Sequence, residues 1–77
     1  MADTIELDVR GLDPPEPFER IVAALDSLAP DGALRVLIDR RPVPLYRMLQ
    51  LNGYLYEERV ADASTYEITI RQRRTGA

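Results

Sequence analysis

Prolines gather at two points in this chain, and at each point the spacing of apolar residues changes period. Ile5, Leu7 and Val9 alternate with Glu6, Asp8 and Arg10, the pattern of a strand with one wet face. Gly11 ends that run. After Pro14-Pro15-Glu16-Pro17 the apolar positions become Phe18, Ile21, Val22, Leu25 and Leu28, a helical stripe. Proline has a fixed φ and no amide hydrogen, which suits the first turn of a helix, where the amides lack partners anyway. The switch then recurs: Leu34, Val36 and Ile38 form a second strand with Leu37 facing the other way, and Pro42 and Pro44 open a helix carrying Leu45, Met48 and Leu49 on one face.

The remaining signals complete the order. Asp13 and Glu16 are spaced as a capping pair, Pro30-Asp31-Gly32 is expected to stop the first helix, and Asn52-Gly53 supplies a left-handed cap for the second. Tyr54, Tyr56 and Val60 alternate with Leu55, Glu57 and Arg59; after a turn at Asp62-Ala63-Ser64, Tyr66, Ile68 and Ile70 alternate with Glu67, Thr69 and Arg71. The resulting order is strand, helix, strand, helix, strand, strand. Strands wet on one face imply an α/β (α+β) two-layer sandwich with a four-stranded mixed sheet and both helices on one side. The crossovers suit right-handed parallel connections and the last two strands a hairpin.

One domain over 1–77 is expected, with residues 73–77 as a frayed tail. Its core is expected from Leu7, Val9, Phe18, Ile21, Val22 and Leu25, joined by Val36, Ile38, Leu45, Leu49, Ile68 and Ile70. The open sheet face is expected to carry Glu6, Asp8, Arg35, Glu57, Arg59, Glu67, Thr69 and Arg71. Leu37 and Leu55 interrupt that face, either as scattered surface leucines or as the seat of a weak homodimer.

Composition removes whole classes of chemistry. The chain has no cysteine, histidine or lysine, so thiolate, imidazole and amine nucleophiles are missing along with the softer metal ligands. A domain of 77 residues buries only roughly 60% of the surface its unfolded chain exposes, and neither a disulfide nor a zinc site can supplement the core. The net charge of -3 and pI near 4.8 argue against a broad nucleic-acid surface. All ten basic residues are arginines, collected at Arg40 and Arg41 and again at Arg71, Arg73 and Arg74. Met1 to Glu6 lacks the features of a signal peptide and no window approaches the roughly 18 apolar residues of a membrane span, so a cytoplasmic location is expected.

Leu7-Asp8-Val9-Arg10-Gly11-Leu12 running into Pro15-Glu16-Pro17 resembles the TusA/SirA family of small bacterial sulfur carriers. The chain resembles still more closely their cysteine-less relatives, a family of unknown function that shares the segment seen here as Asp39-Arg40-Arg41-Pro42-Val43-Pro44-Leu45-Tyr46. The resemblance implies the TusA/SirA-like sandwich over nearly the whole chain. In the carriers the residue before the Pro-x-Pro is a cysteine that holds a persulfide; here it is Pro14, so sulfur relay is excluded. The relatives often place a histidine where this chain has Arg40, so no role of that histidine carries over. Relatives fused to hemerythrin-like modules imply a hemerythrin-like or other metal-binding protein as partner.

Arg10, Asp13, Pro14, Glu16, Arg40, Arg41, Tyr46 and Arg47 are expected at one end of the sandwich, where the parallel strands finish and both helices begin. The helix starts and Arg10, Arg40 and Arg41 could bind an anion, or Asp8, Asp13, Glu16 and Asp39 could simply pair with those arginines. A carboxylate-only enzyme would need a cleft that shifts pKa values, which so small a domain rarely encloses. The expected function is a non-catalytic protein-interaction module without cofactor or metal, and the alternative is a small-anion or metabolite-binding domain.

Overall fold

Alternation at Ile5 and Leu7 forms β1, Thr4–Asp8, in the computed structural model, which describes residues 4–72. The helical stripe forms α1, Glu16–Asp26, followed by β2, Ala33–Ile38, and α2, Val43–Leu51. The hairpin is β3, Tyr54–Asp62, and β4, Thr65–Gln72. One four-stranded sheet has the order β1-β2-β4-β3, with β1 and β2 parallel and the other two pairs antiparallel. The expected α+β architecture is thus the observed one, and the tail at 73–77, with Arg73 and Arg74, lies outside the described residues.

Register decides which residues share a face. Ile5, Leu34, Ile70 and Tyr56 are successive partners across the four strands, and Leu7, Val36, Ile68 and Glu58 form the next row on the same side. Both helices cover this side, α1 through Ile21 and Leu25 and α2 through Leu45 and Leu49. Val9, Leu34, Val36, Leu49, Ile68 and Ile70 lose all contact with solvent. On the opposite face Glu6, Arg35, Thr69 and Glu57 are partners, and Arg35 lies within 3.9 Å of Glu6 and 3.7 Å of Glu67. These pairs are long and Arg35 is exposed, so they contribute little to stability. Leu37 faces Glu67 while Leu55 faces Arg71 two rows away, so the two leucines do not merge into one apolar patch.

Three of the residues expected in the core are not fully buried, each for a local reason. Phe18 remains 38% exposed because it occupies the first turn of α1, at the edge of the sandwich. Leu7 is only half-buried because β1 is an edge strand, and Val22 because it lies one step around the helix from Ile21. Val60, which alternates with Tyr54 and Tyr56 but was not expected in the core, is 64% exposed because it lies beyond Glu58, where α2 begins its passage over β3. Leu34 and Leu28 join the core.

Leu28 does so from outside the helix. Pro30-Asp31-Gly32 does not set the boundary: α1 ends at Asp26, where the Ser27 and Leu28 amides bond tightly back to Ala24 and Leu25, both at 3.1 Å. The Leu28 carbonyl accepts from Gln72 Nε2 at 3.1 Å, tying this turn to β4. Gly53 adopts the expected left-handed conformation after α2, at φ +79.

Leu25→Ala should lower the unfolding free energy by about 2–5 kcal/mol, because a side chain of this size leaves a cavity when buried. Phe18→Ala should cost clearly less despite removing a larger side chain. Paired denaturant titrations check the ranking, and an equal or greater loss for Phe18→Ala would contradict the edge position of that ring.

Candidate functional site

Parallel pairing of β1 and β2 brings their C-terminal ends together. The Val9 amide donates to the Leu37 carbonyl at 2.9 Å, and the Gly11 amide donates to Asp39 Oδ2 at 2.9 Å. Gly11 turns the chain with φ +78, a conformation that residues with a Cβ rarely adopt. The two helices therefore start side by side. Pro15 is the N-cap residue of α1 and Pro42 that of α2, and each helix has a further proline at its second position, Pro17 and Pro44.

These prolines wall a groove of about 320 Å³ between the helix starts. Pro14, Pro15, Pro17, Pro42 and Pro44 all line it, five of the chain's six prolines. Buried Ile21, Ile38 and Leu45 also line it, together with the exposed ring of Phe18. Arg40 and Arg41 complete the lining, so the groove is apolar with two guanidinium groups.

The two arginines differ in environment. Arg41 Nε donates to Glu58 Oε1 at 2.9 Å, and the Tyr46 hydroxyl donates to the same oxygen at 2.5 Å. The hydrogen bond from Tyr46 and then the Arg41 guanidinium hold the Glu58 carboxyl below its ordinary pKa. Burial, with the bond to Glu58 and its negative charge, pushes the Tyr46 phenol well above its usual range. The Tyr46 ring stacks on Tyr56 with centroids 4.5 Å apart, and Gln50 Nε2 donates to the Tyr56 hydroxyl at 3.2 Å. This cluster fastens α2 to β3 and so positions one wall of the groove. Arg40, by contrast, makes no ion pair among the described residues.

Of the residues expected to form a site, Pro14, Arg40 and Arg41 meet in the groove. Tyr46 acts on it indirectly through Glu58 and Arg41. Arg10 is occupied by Asp8 through bonds of 2.9 and 2.7 Å, which hold the Asp8 carboxyl down to about 2. Asp13 and Glu16 instead line a separate open cleft with Glu19 and Arg20, beyond the Pro14-Pro15 ridge. Arg47 is exposed on α2 and lines neither.

Two expectations need correction. Asp13 and Glu16 form no capping pair: the Asp13 carbonyl accepts the Glu16 amide at 2.9 Å, while the Glu16 carboxylate binds Arg20 at 2.9 Å. Nor do the helix starts offer a set of free amides. Pro17 and Pro44 have none, and the amides of Val43, Leu45 and Tyr46 are bonded to Arg41 or Pro42. In α1 the Glu16 and Glu19 amides are likewise bonded, leaving the Phe18 amide as the one first-turn donor without a backbone partner among the described residues. The same prolines that start the helices remove the donors an inorganic anion would need.

Glu58 was not among the expected site residues. Its signal lay in the period: it falls between Tyr56 and Val60, on the helix-covered face of β3, where an acidic side chain requires a partner.

The carboxylates do not gather elsewhere, since among the described residues no three acidic side chains are placed to share a metal ion. No helix among the described residues is long and apolar enough to cross a membrane. Fold and groove together define a small two-layer α+β domain with a proline-walled groove at one end. The chain belongs to the uncharacterized conserved protein family DUF2249, whose family model matches residues 6–72. No curated protein and no solved structure matches it.

Because the folded-state pKa of Glu58 is depressed, its stabilising contribution is present above the ordinary value of 4.5 and is lost as pH falls through the folded value. Glu58→Gln should therefore lower the melting temperature at neutral pH, and the gap to the wild type should close on acidification below that ordinary value. Comparing the two proteins cancels the parallel titrations of Asp8 and Asp62. A gap that stays constant from neutral to strongly acidic pH would contradict the charge-assisted Arg41–Glu58 contact.

Proposed function

We propose that this protein is a non-catalytic interaction module, related to the TusA/SirA sulfur carriers, that holds a segment of a partner protein in the groove between its helix starts. The observation that carries this reading is the convergence of Pro14, Pro15, Pro17, Pro42 and Pro44 on one apolar groove. Proline rings lose almost no side-chain entropy on contact, and a wall already in its bound shape spares the cost of ordering a loop.

The non-catalytic part rests on what the chain contains. Without cysteine, histidine or lysine, acid-base and nucleophilic work would fall to carboxylates, and four near this end are engaged: Asp8 with Arg10, Glu16 with Arg20, Glu58 with Arg41 and Asp39 with the Gly11 amide. Pro14 stands where the carriers have their persulfide cysteine, and here it lines the groove. A reactive position has thus become a contact surface. The reading places the module in the bacterial cytoplasm, and the resemblance to the cysteine-less relatives makes hemerythrin-like or other metal-binding proteins the first partners to try.

The test is to identify a cross-linked partner from the native cell, purify it, and measure its affinity for wild type, Phe18→Glu and Pro44→Glu. Both substitutions put a charge on the groove wall, and glutamate suits the first turn of a helix, so folding should be preserved. The dissociation constant should rise about tenfold or more in each variant, a loss of ~1.4 kcal/mol, while both variants still unfold cooperatively well above the assay temperature. A purified partner that binds both variants as tightly as the wild type would contradict the groove as the docking surface.

A further inference from the structure

We propose that the partner segment seated in the groove presents an apolar side chain next to a carboxylate, and that Arg40 receives the carboxylate. The proposal rests on reading the groove as a protein-docking surface and adds the chemistry of its occupant. Three other arginines near this end of the sandwich already have carboxylate partners within the chain: Arg10 with Asp8 at 2.7 Å, Arg20 with Glu16 at 2.9 Å and Arg41 with Glu58 at 2.9 Å. Arg40 lines the groove yet has no such partner among the described residues. A guanidinium without a carboxylate partner among the described residues, beside Ile38, Leu45 and the proline rings, suits an anion with apolar surface attached.

Inorganic phosphate or sulfate fits poorly, because the helix-start amides that would share its charge are, apart from that of Phe18, missing or bonded. A free small molecule fits less well than a chain segment. At about 320 Å³ the groove is near the lower end of ligand-site volumes, roughly 300–1,000 Å³, and it opens to solvent rather than enclosing its contents. A segment of a partner needs only its side chains seated, while the rest of the interface excludes water. Under that cover a carboxylate bonded to Arg40 would be strengthened by the apolar wall, and the planar guanidinium can take both of its oxygens.

The test selects peptides from a displayed library of random short sequences against the wild-type protein and against Arg40→Gln. Arg40 is exposed, so Arg40→Gln leaves the fold intact. Wild-type binders should be enriched in aspartate or glutamate adjacent to a large apolar residue. In a synthesised binder, replacing that acid by its amide should weaken binding to the wild type by about tenfold, and the penalty should vanish against Arg40→Gln. Arg40→Glu should shift the selected preference from acidic to basic residues. Groove-dependent binders whose affinity ignores the acid-to-amide change, or loses equally on Arg40→Gln, would overturn the proposed chemistry and leave the docking surface standing. Binders unaffected by Phe18→Glu, or a library yielding none, would count against the docking surface itself.

Discussion

The parallel pairing of β1 with β2 is the constraint on which the rest of this molecule depends. An antiparallel pair would send the two following helices off opposite ends of the sheet. With Asp8 beside Leu37 in register, both strands finish at the same edge and both helices must begin there. The main-chain bond from Val9 to Leu37 and the bond from Gly11 to Asp39 extend this alignment past the last strand residues. Every helix-starting proline is therefore delivered to one place, although the two proline runs lie far apart in the chain.

That convergence sets the chemistry of the groove. A helix start normally exposes amides and a positive dipole end, which suits anions. Here proline occupies the N-cap and the second helical position of both helices, and of the few amides left all but that of Phe18 are turned inward to Asp13, Pro15, Arg41 and Pro42. The surface becomes apolar and stiff where it would otherwise be polar. Its remaining charge comes from Arg40 and Arg41, and Glu58 engages the latter. The Tyr46–Glu58–Arg41 cluster thus does two things: it clamps α2 onto β3, and it leaves Arg40 as the groove's arginine without a carboxylate partner among the described residues.

The element order was legible in the sequence because the chain changes period at each boundary and marks the changes with proline or glycine. Pro14 to Pro17, Pro42 with Pro44, and Asn52-Gly53 each act through local backbone geometry, which needs no knowledge of the rest of the fold. What depends on neighbours was less legible. Phe18 fits the helical stripe perfectly well, but the stripe cannot say that the first turn overhangs the sheet. Leu28 continues the stripe by number yet reaches the core from a turn, because α1 tightens after Asp26. Asp13 and Glu16 have the spacing of a capping pair, and the competing bonds of the Asp13 carbonyl and the Arg20 guanidinium displaced it. Glu58 is the plainest case: alternation placed it on the covered face, while its role became visible only when α2 brought Tyr46 and Arg41 over it. The grouping was therefore half legible: Pro14, Arg40 and Arg41 do meet in one groove, whereas Arg10 and Glu16 are held by Asp8 and Arg20 and Asp13 lies in a separate cleft.

The central claim is that the groove exists, already shaped and stiff, before anything binds. Nitrogen-15 relaxation on the free protein measures this most directly, at the amides of Glu16, Phe18, Arg40, Arg41 and Val43 that flank the prolines. The account predicts order parameters close to those of the buried strands, about 0.85. Values below about 0.6 at these amides, with the strands remaining rigid, would show a groove that forms only on binding and would contradict the account.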